Sequence, residues 1–192
     1  MAVIVVGGSG RGVGKTSLVC GLISALPEIA FAAVKITTHE HGQQDPVWED
    51  VACEELASRE PIGPGTGKDT ARYLAAGARR ALLVAASDDS FAARLGEVWA
   101  KLGPGANVIF ESNRVAEFLQ PDLCLGVETG GEEIPVKASF LPFLRRADAL
   151  VARAAMDSAV QEPGVAKPLF RLADLEHVSP EMMAWVRSGL RS

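Results

Sequence analysis

The sequence predicts an α/β protein with a mostly parallel central sheet and helices on both faces. Three observations carry that expectation. Short apolar runs alternate with helix-period segments along the chain, the signature of a parallel sheet covered on both sides. The first run, Ala2 to Val6, passes directly into a glycine-rich turn, Gly7-Gly8-Ser9-Gly10-Arg11-Gly12-Val13-Gly14, that ends in Lys15-Thr16-Ser17. A helix-period set follows at once: Leu18, Val19, Leu22, Ile23 and Leu26. Strand, glycine loop, Gly-Lys-Thr and helix, in that order, are the context in which the pattern G-x-x-x-x-G-K-[ST] predicts a P-loop. The expectation is therefore a three-layer P-loop NTPase fold, with residues 1–192 forming a single nucleotide-binding domain.

The chemistry of that loop assigns candidate residues. Glycines let the backbone curl so that several N–H groups point inward at phosphate oxygens. The N-terminus of the following helix adds partial positive charge. Ser9, Gly10, Arg11, Gly12, Val13, Gly14, Lys15, Thr16 and Ser17 are thus the expected nucleotide-binding residues. Lys15 reaches the β- and γ-phosphates, and the Thr16 hydroxyl ligates Mg²⁺. One departure stands out. The pattern asks for glycine at position 9, and the chain has Ser9 between Gly8 and Gly10. The turn is expected to form shifted by one residue.

The remaining elements follow in order. Pro27 ends the first helix, and Ala30 to Ile36 reads as the second strand. Thr37 to Gly67 is a long polar segment, read as a loop with a short helix over about Trp48 to Ser58; long loops in compact domains tend to be functional. Lys68 to Ala78 reads as a helix and Ala81 to Ala86 as a strand. Phe91 to Leu102 is an amphipathic helix stopped by Gly103-Pro104-Gly105, and Asn107 to Phe110 a strand. Val115 to Leu119 reads as a short helix, Asp122 to Val127 as a strand, and Ser139 to Ala147 as a helix. Ala149 to Ala152 is read as the last strand and Glu181 to Leu190 as the terminal helix.

Composition narrows the function classes. Apolar residues make up 48% and charged residues 22%, ordinary for a globular protein. The net charge of -5 argues against a general nucleic-acid binder. No apolar run approaches the roughly 20 residues that span a bilayer, and the first apolar run lacks the basic flank of a signal peptide. Cys20, Cys53 and Cys124 are odd in number and widely spaced, which points to reduced thiols and a cytoplasmic setting.

Ligands of such sheets collect at the carboxyl ends of the strands. Glu111 directly follows a strand there, where a carboxylate would hold Mg²⁺ beside the P-loop, directly or through water. Lys15 and Glu111 are therefore the candidate catalytic residues, and Thr16 and Glu111 the candidate metal residues. Lys35, Thr37, Thr38, His39 and His41 cluster at the end of the second strand, and Lys35, His39 and His41 are candidates for a second substrate or a site rim. Gly63 to Thr70 looks like a second P-loop but has Ile62 and Asp69 at the wrong places and no strand before it. It reads as a lead-in to a helix whose start, with Lys68 and Asp69, joins the candidate rim. Arg72, Arg79 and Arg80 either extend a basic face there or line a solvated helix surface.

Three segments occur in a telling order: Gly7 to Leu18 with its Gly-Lys-Thr; Val34-Lys35-Ile36-Thr37-Thr38-His39-Glu40-His41; and Gly67-Lys68-Asp69-Thr70-Ala71-Arg72-Tyr73-Leu74-Ala75-Ala76-Gly77-Ala78. Over roughly residues 2 to 113 the chain resembles the MobB family, GTP-binding proteins of molybdopterin guanine dinucleotide biosynthesis. The third segment is the most distinctive, because P-loops are common and a Gly-Lys-Asp-Ser-x-Arg-x-x-x-Ala-Gly-Ala-like stretch is not. The resemblance implies a Mg²⁺-dependent nucleotide-binding protein with slow hydrolysis, a homodimer in the cytoplasm, serving a molybdenum cofactor enzyme. It implies Glu111 as the Mg²⁺-side carboxylate, with Lys68 and Asp69 at the site rim. The chain departs from the family at Glu111-Ser112-Asn113, where Glu-Gly-Phe is usual. No Asn-Lys-x-Asp guanine-reading motif stands by Ala152-Arg153-Ala154, so GTP and ATP both stay open. A small-molecule kinase or ATP-dependent ligase on the same fold, or a nucleotide-gated adaptor without turnover, are the alternatives.

Overall fold

The computed structural model describes residues 1–37, 49–52, 68–128, 136–154 and 167–190. The strands are β1 (Val3–Gly8), β2 (Ala32–Thr37), β3 (Glu49–Ala52), β4 (Arg80–Ala85), β5 (Val108–Glu111), β6 (Leu123–Glu128), β7 (Ala149–Arg153) and β8 (Leu169–Leu172). The helices are α1 (Lys15–Ala25), α2 (Lys68–Ala75), α3 (Phe91–Leu102), α4 (Phe140–Arg146) and α5 (Pro180–Gly189). Two 3-10 turns, Pro27–Ile29 and Val115–Glu117, complete the described elements.

All eight strands form one sheet in the order β3-β4-β2-β5-β1-β6-β7-β8. Every pairing is parallel except that of β3 with β4. The expected α/β architecture is therefore what the chain adopts. β1 lies inside the sheet: the chain runs to β2 on one side of it and later to β6, β7 and β8 on the other. That reversal opens a crevice at the carboxyl end of β1, where open α/β sheets bind ligands.

Strand alternation builds two cores. Ile4, Val6, Ile109, Leu125 and Val151 face α1, α2 and α5 together with Leu18, Leu22, Tyr73, Met182 and Val186. Val3, Val5, Val34, Phe110, Cys124 and Leu150 face α3 and α4 with Phe91, Val98, Phe140 and Phe143. Both faces of β1 are buried, so the strand reads as a continuous apolar run rather than an alternating one. Each fully buried Leu, Ile or Val contributes about 1.5–3 kcal/mol relative to exposure. α5, expected from Glu181, starts one residue earlier, with the Ser179 hydroxyl accepting from Met182 N at 3.2 Å and Pro180 in its first turn.

Two expectations are corrected. A short helix over Trp48 to Ser58 is replaced, at Glu49–Ala52, by a strand antiparallel to β4, with Glu49 opposite Leu83 and Ala52 opposite Arg80. The open edge of β4 supplies backbone partners that a local reading cannot see. Ala149–Arg153 is also not the last strand, because β8 pairs beyond it, Leu150 with Leu169 through Arg153 with Leu172. The rest of the Thr37 to Gly67 loop, with His39, His41 and Cys53, lies outside the described residues. Cys20 and Cys124 are free thiols, pushed by burial up to about 11 and about 12, and are protonated near neutrality. No described helix is long and apolar enough to cross a membrane.

Candidate functional site

The loop from β1 to α1 is shaped by glycines at two kinds of position. Gly8 is a close approach: a Cβ there would meet Val13 Cγ2 at 2.7 Å and Lys15 Cγ at 2.8 Å. The aliphatic stem of Lys15 thus folds back over Gly8, and its ammonium donates to Gly10 O at 2.8 Å. Gly14 caps α1 in the left-handed region, at φ 100°, and Leu18 N donates to its carbonyl at 3.0 Å. No side chain caps this helix start, and its first turn carries no acidic residue. Its positive end is left to an anion.

Ser9, the departure from the glycine pattern, is accommodated simply. It does not have positive φ; among described non-glycine residues only Ala30 does. Its N–H donates to Val127 O at 2.9 Å and its carbonyl accepts from Lys137 N at 2.8 Å. Gly12 and Gly14 take the left-handed turns instead. Gly10 is buried, Arg11 and Gly12 are exposed at the loop tip, and Val13 is buried beneath it. A Gly14→Ala substitution is expected to cost about 1–2 kcal/mol for the left-handed backbone alone, and more because its Cβ would overlap Leu175 Cδ1. Urea unfolding checks this: a midpoint equal to the parent's would contradict the geometry.

The sheet register brings the charged residues together. Lys35 on β2 stands beside Glu111 on β5, which stands beside Val6 on β1. Thr16 Oγ1 donates to Glu111 Oε2 at 2.8 Å. Lys35 Nζ donates to Glu111 Oε1 at 2.8 Å and to Asp69 Oδ2 at 2.6 Å. The Tyr73 hydroxyl also donates to Glu111 Oε2. Glu111 is only 5% exposed, so this carboxylate is held off water by three donors. The two lysines respond in opposite ways. Burial lowers the Lys15 pKa; Glu111 offsets part of this, while Lys137 and Lys35 lower it further. Burial works against Lys35 as well, but Glu111 and Asp69 outweigh it and its pKa is raised.

Of the expected site residues, Lys15, Thr16, Glu111, Lys35 and Asp69 converge at one place. Ser17 Oγ lies in a neighbouring cluster, 3.2 Å from Glu176 Oε1 and 2.9 Å from Arg72 Nη2, and Arg72 itself pairs with Glu176. Lys68 begins α2, but its side chain lies outside the described residues, as do His39 and His41. The basic face of Arg72, Arg79 and Arg80 does not form as one surface. Arg80 starts β4 at the amino edge of the sheet, with Nη1 on Lys101 O at 2.6 Å, and Arg79 lies beside it.

Three contributors were missed in the sequence. Asn113 clamps the end of β1, accepting from Gly8 N at 2.7 Å and donating to Gly8 O at 3.1 Å and to Ser139 Oγ at 3.1 Å. Lys137 is tied to the loop through Ser9 O. Tyr73, read only as part of the Gly67 to Ala78 segment, meets Glu111 through the packing of α2 against β5. Only the Asn113 signal, a departure at the residue after Ser112, was visible beforehand.

The donor set suits a hard divalent cation. A hydroxyl and one carboxylate, with phosphate oxygens and water completing the sphere, is how Mg²⁺ is usually held, rather than by an all-protein cage. Among the described residues no group of three or more His, Cys, Asp and Glu is arranged as such a cage.

No family model and no curated protein matches the chain. Among solved structures it is similar to the "apo" form of LpxK from Aquifex aeolicus in complex with ATP, with a TM-score of 0.51 and 22% sequence identity. The match covers 89% of this chain and 53% of that one, so this chain spans about half the length of that protein. The likeness shows the fold, an α/β P-loop NTPase fold.

Proposed function

We propose that this chain binds a nucleoside triphosphate, GTP or ATP, with Mg²⁺ at the β1–α1 loop and hydrolyses it slowly. One observation carries the reading: Lys15, Thr16 and Glu111 meet at the carboxyl edge of the sheet, with Thr16 Oγ1 2.8 Å from Glu111 Oε2, in front of an uncapped helix N-terminus. That is the charge arrangement a polyphosphate and its cation require. LpxK, similar in fold, was crystallised with ATP, which is consistent with the reading.

In this reading Lys15 neutralises charge on the phosphates, and the loop N–H groups orient them. Thr16 and Glu111 hold Mg²⁺, which when bound neutralises phosphate charge and orients the nucleotide. Lys35 stands on the far side of Glu111, where it balances that carboxylate. Slow hydrolysis is expected because both oxygens of Glu111 are engaged, by Thr16, Tyr73 and Lys35, and Asp69 is tied to Lys35, which leaves neither carboxylate free to take a proton from water.

The finer reading rests on the resemblance to MobB. It makes the chain one nucleotide-binding domain, a cytoplasmic homodimer that assists nucleotide attachment to the molybdenum cofactor for a partner enzyme. The second reading, a small-molecule kinase or ligase, is favoured by one feature: the Lys35–Asp69 pair, an ion pair at 2.6 Å and partly exposed, placed beside the metal-side carboxylate where an acceptor would approach. Calorimetric titration of GTP and ATP, each with and without Mg²⁺, tests both. Mg²⁺-dependent binding with guanine preferred supports the MobB-like reading. ATP preference with turnover stimulated by an acceptor supports the second. Binding of neither nucleotide overturns the reading of the site.

A further inference from the structure

We propose that Tyr73 is a positioning residue for the metal site: its hydroxyl fixes Glu111 Oε2 in the orientation from which that carboxylate serves the cation beside Thr16. The inference rests on the nucleotide and Mg²⁺ reading above and deepens it.

α2 presents Asp69, Arg72 and Tyr73 on one face, at i, i+3 and i+4. Each meets the site at a different point. Asp69 takes Lys35, Arg72 takes Ser17 and Glu176, and Tyr73 takes Glu111. The three donors on Glu111 are not equivalent. Thr16 is the group that must also serve the cation, and Lys35 is shared with the partly exposed Asp69. Tyr73 stays within the Glu111–Thr16 pair, its hydroxyl in hydrogen-bond reach of both. Its side chain is fully buried, packed in the core that also holds Leu18, Leu22 and Ile109. A ring held in a close-packed core leaves its hydroxyl little freedom, which makes it the fixed point of the cluster.

Chemistry explains the residue type. Phenylalanine would fill the same apolar space, and a buried hydroxyl without an acceptor would cost free energy. The phenol therefore belongs here because Glu111 is within its reach.

Tyr73 is the only tyrosine in the chain, which gives a direct readout. Protein labelled with carbon-13 at the tyrosine ζ carbon yields one NMR resonance. It is followed as the nucleotide that binds best is added without metal, and then as Mg²⁺ is added. The resonance is expected to move on the Mg²⁺ step. Tyr73→Phe is expected to bind metal-free nucleotide like the parent and to need about tenfold more Mg²⁺ for half-saturation, the loss typical when a partner that orients a metal ligand is removed. A purely packing role would move neither quantity.

A resonance indifferent to Mg²⁺, in protein that calorimetry shows to bind the Mg²⁺ nucleotide, overturns the inference and leaves the nucleotide reading standing. So does an unchanged Mg²⁺ requirement in a folded Tyr73→Phe. If that variant does not fold, the labelled parent decides alone. If no nucleotide binds the parent at all, the reading of the site falls and this inference with it.

Discussion

Replacing Lys15 with methionine is expected to weaken binding of the Mg²⁺ nucleotide by about 100-fold, or about 2.7 kcal/mol, while leaving the nucleotide-free protein at least as stable as the parent. The affinity loss follows from deleting one partner of a charged contact, which typically costs about 2–5 kcal/mol. Methionine keeps a straight stem over Gly8, where the Lys15 stem packs. The stability half of the expectation comes from the sign of the Lys15 shift. Its pKa in the folded protein is lowered, chiefly by burial. Between that lowered value and the ordinary lysine value near ~10.4 the unfolded chain binds more protons than the folded one, so stability rises with pH through that window. Below both values the buried ammonium is a net cost, present in full. Removing the charge relieves it. Thermal denaturation without nucleotide should therefore give the variant a midpoint at or above the parent's, and the gap should close as pH rises through the window. Unchanged affinity for both GTP and ATP would sink the nucleotide reading, and a midpoint several degrees below the parent's would sink the account of Lys15 as a charge held for a phosphate.

The parts of this site that were legible in the sequence are those fixed by local order along the chain. Lys15 and Thr16 follow a glycine turn at the end of an apolar strand, and Glu111 ends another. A residue's distance from a strand end can be counted without knowing the tertiary structure. α3 was legible to the residue, Phe91–Leu102, because an amphipathic period ends at Gly103-Pro104-Gly105. β3 and β8 were not, for a physical reason. Glu-Asp-Val-Ala and Leu-Phe-Arg-Leu are four-residue runs with charges inside them, and their strand character comes from the exposed edges of β4 and β7 rather than from their own composition. Tyr73 and Lys137 were illegible for a related reason. Tyr73 has the spacing of a helix core position, and only the approach of α2 to β5 turns its hydroxyl into a contact with Glu111. Lys137 reaches the loop through a backbone hydrogen bond to Ser9 from far along the chain. The split of Arg72 from Arg79 and Arg80 is the converse case: Arg72 lies on α2 near the carboxyl edge, while Arg79 and Arg80 lead into β4 at the amino edge.

Glu111→Ala carries the other large expected effect, and it is one of stability as well as activity. Deletion of the carboxylate removes the acceptor of Lys35, Thr16 and Tyr73 at once. Lys35 keeps Asp69, but the buried Tyr73 hydroxyl loses its carboxylate acceptor. Removing one partner of a buried charged pair costs about 3–5 kcal/mol, which for a chain of this size lowers the thermal midpoint by roughly 10 °C. Mg²⁺-dependent nucleotide binding is lost in the same variant. Glu111→Gln keeps a carbonyl acceptor but not the charge, so it should lose less stability and still need more Mg²⁺ for half-saturation. The pH signature separates this cluster from Lys15. The Lys35 pKa is raised in the folded protein, because Glu111 and Asp69 outweigh its burial. A raised lysine contributes stability that is fully present below its unfolded value and is lost as pH rises through the folded one. The difference between parent and Glu111→Ala should thus be constant across neutral pH and shrink only in strong alkali, whereas the Lys15→Met difference closes on the approach to the ordinary lysine value. Two ammonium groups near one carboxylate then differ in what each one needs: Lys35 is balanced by the protein itself, and in the proposed nucleotide reading Lys15 takes its balance from phosphate. A Glu111→Ala midpoint within a degree or two of the parent's would show that Glu111 is not the centre of this cluster.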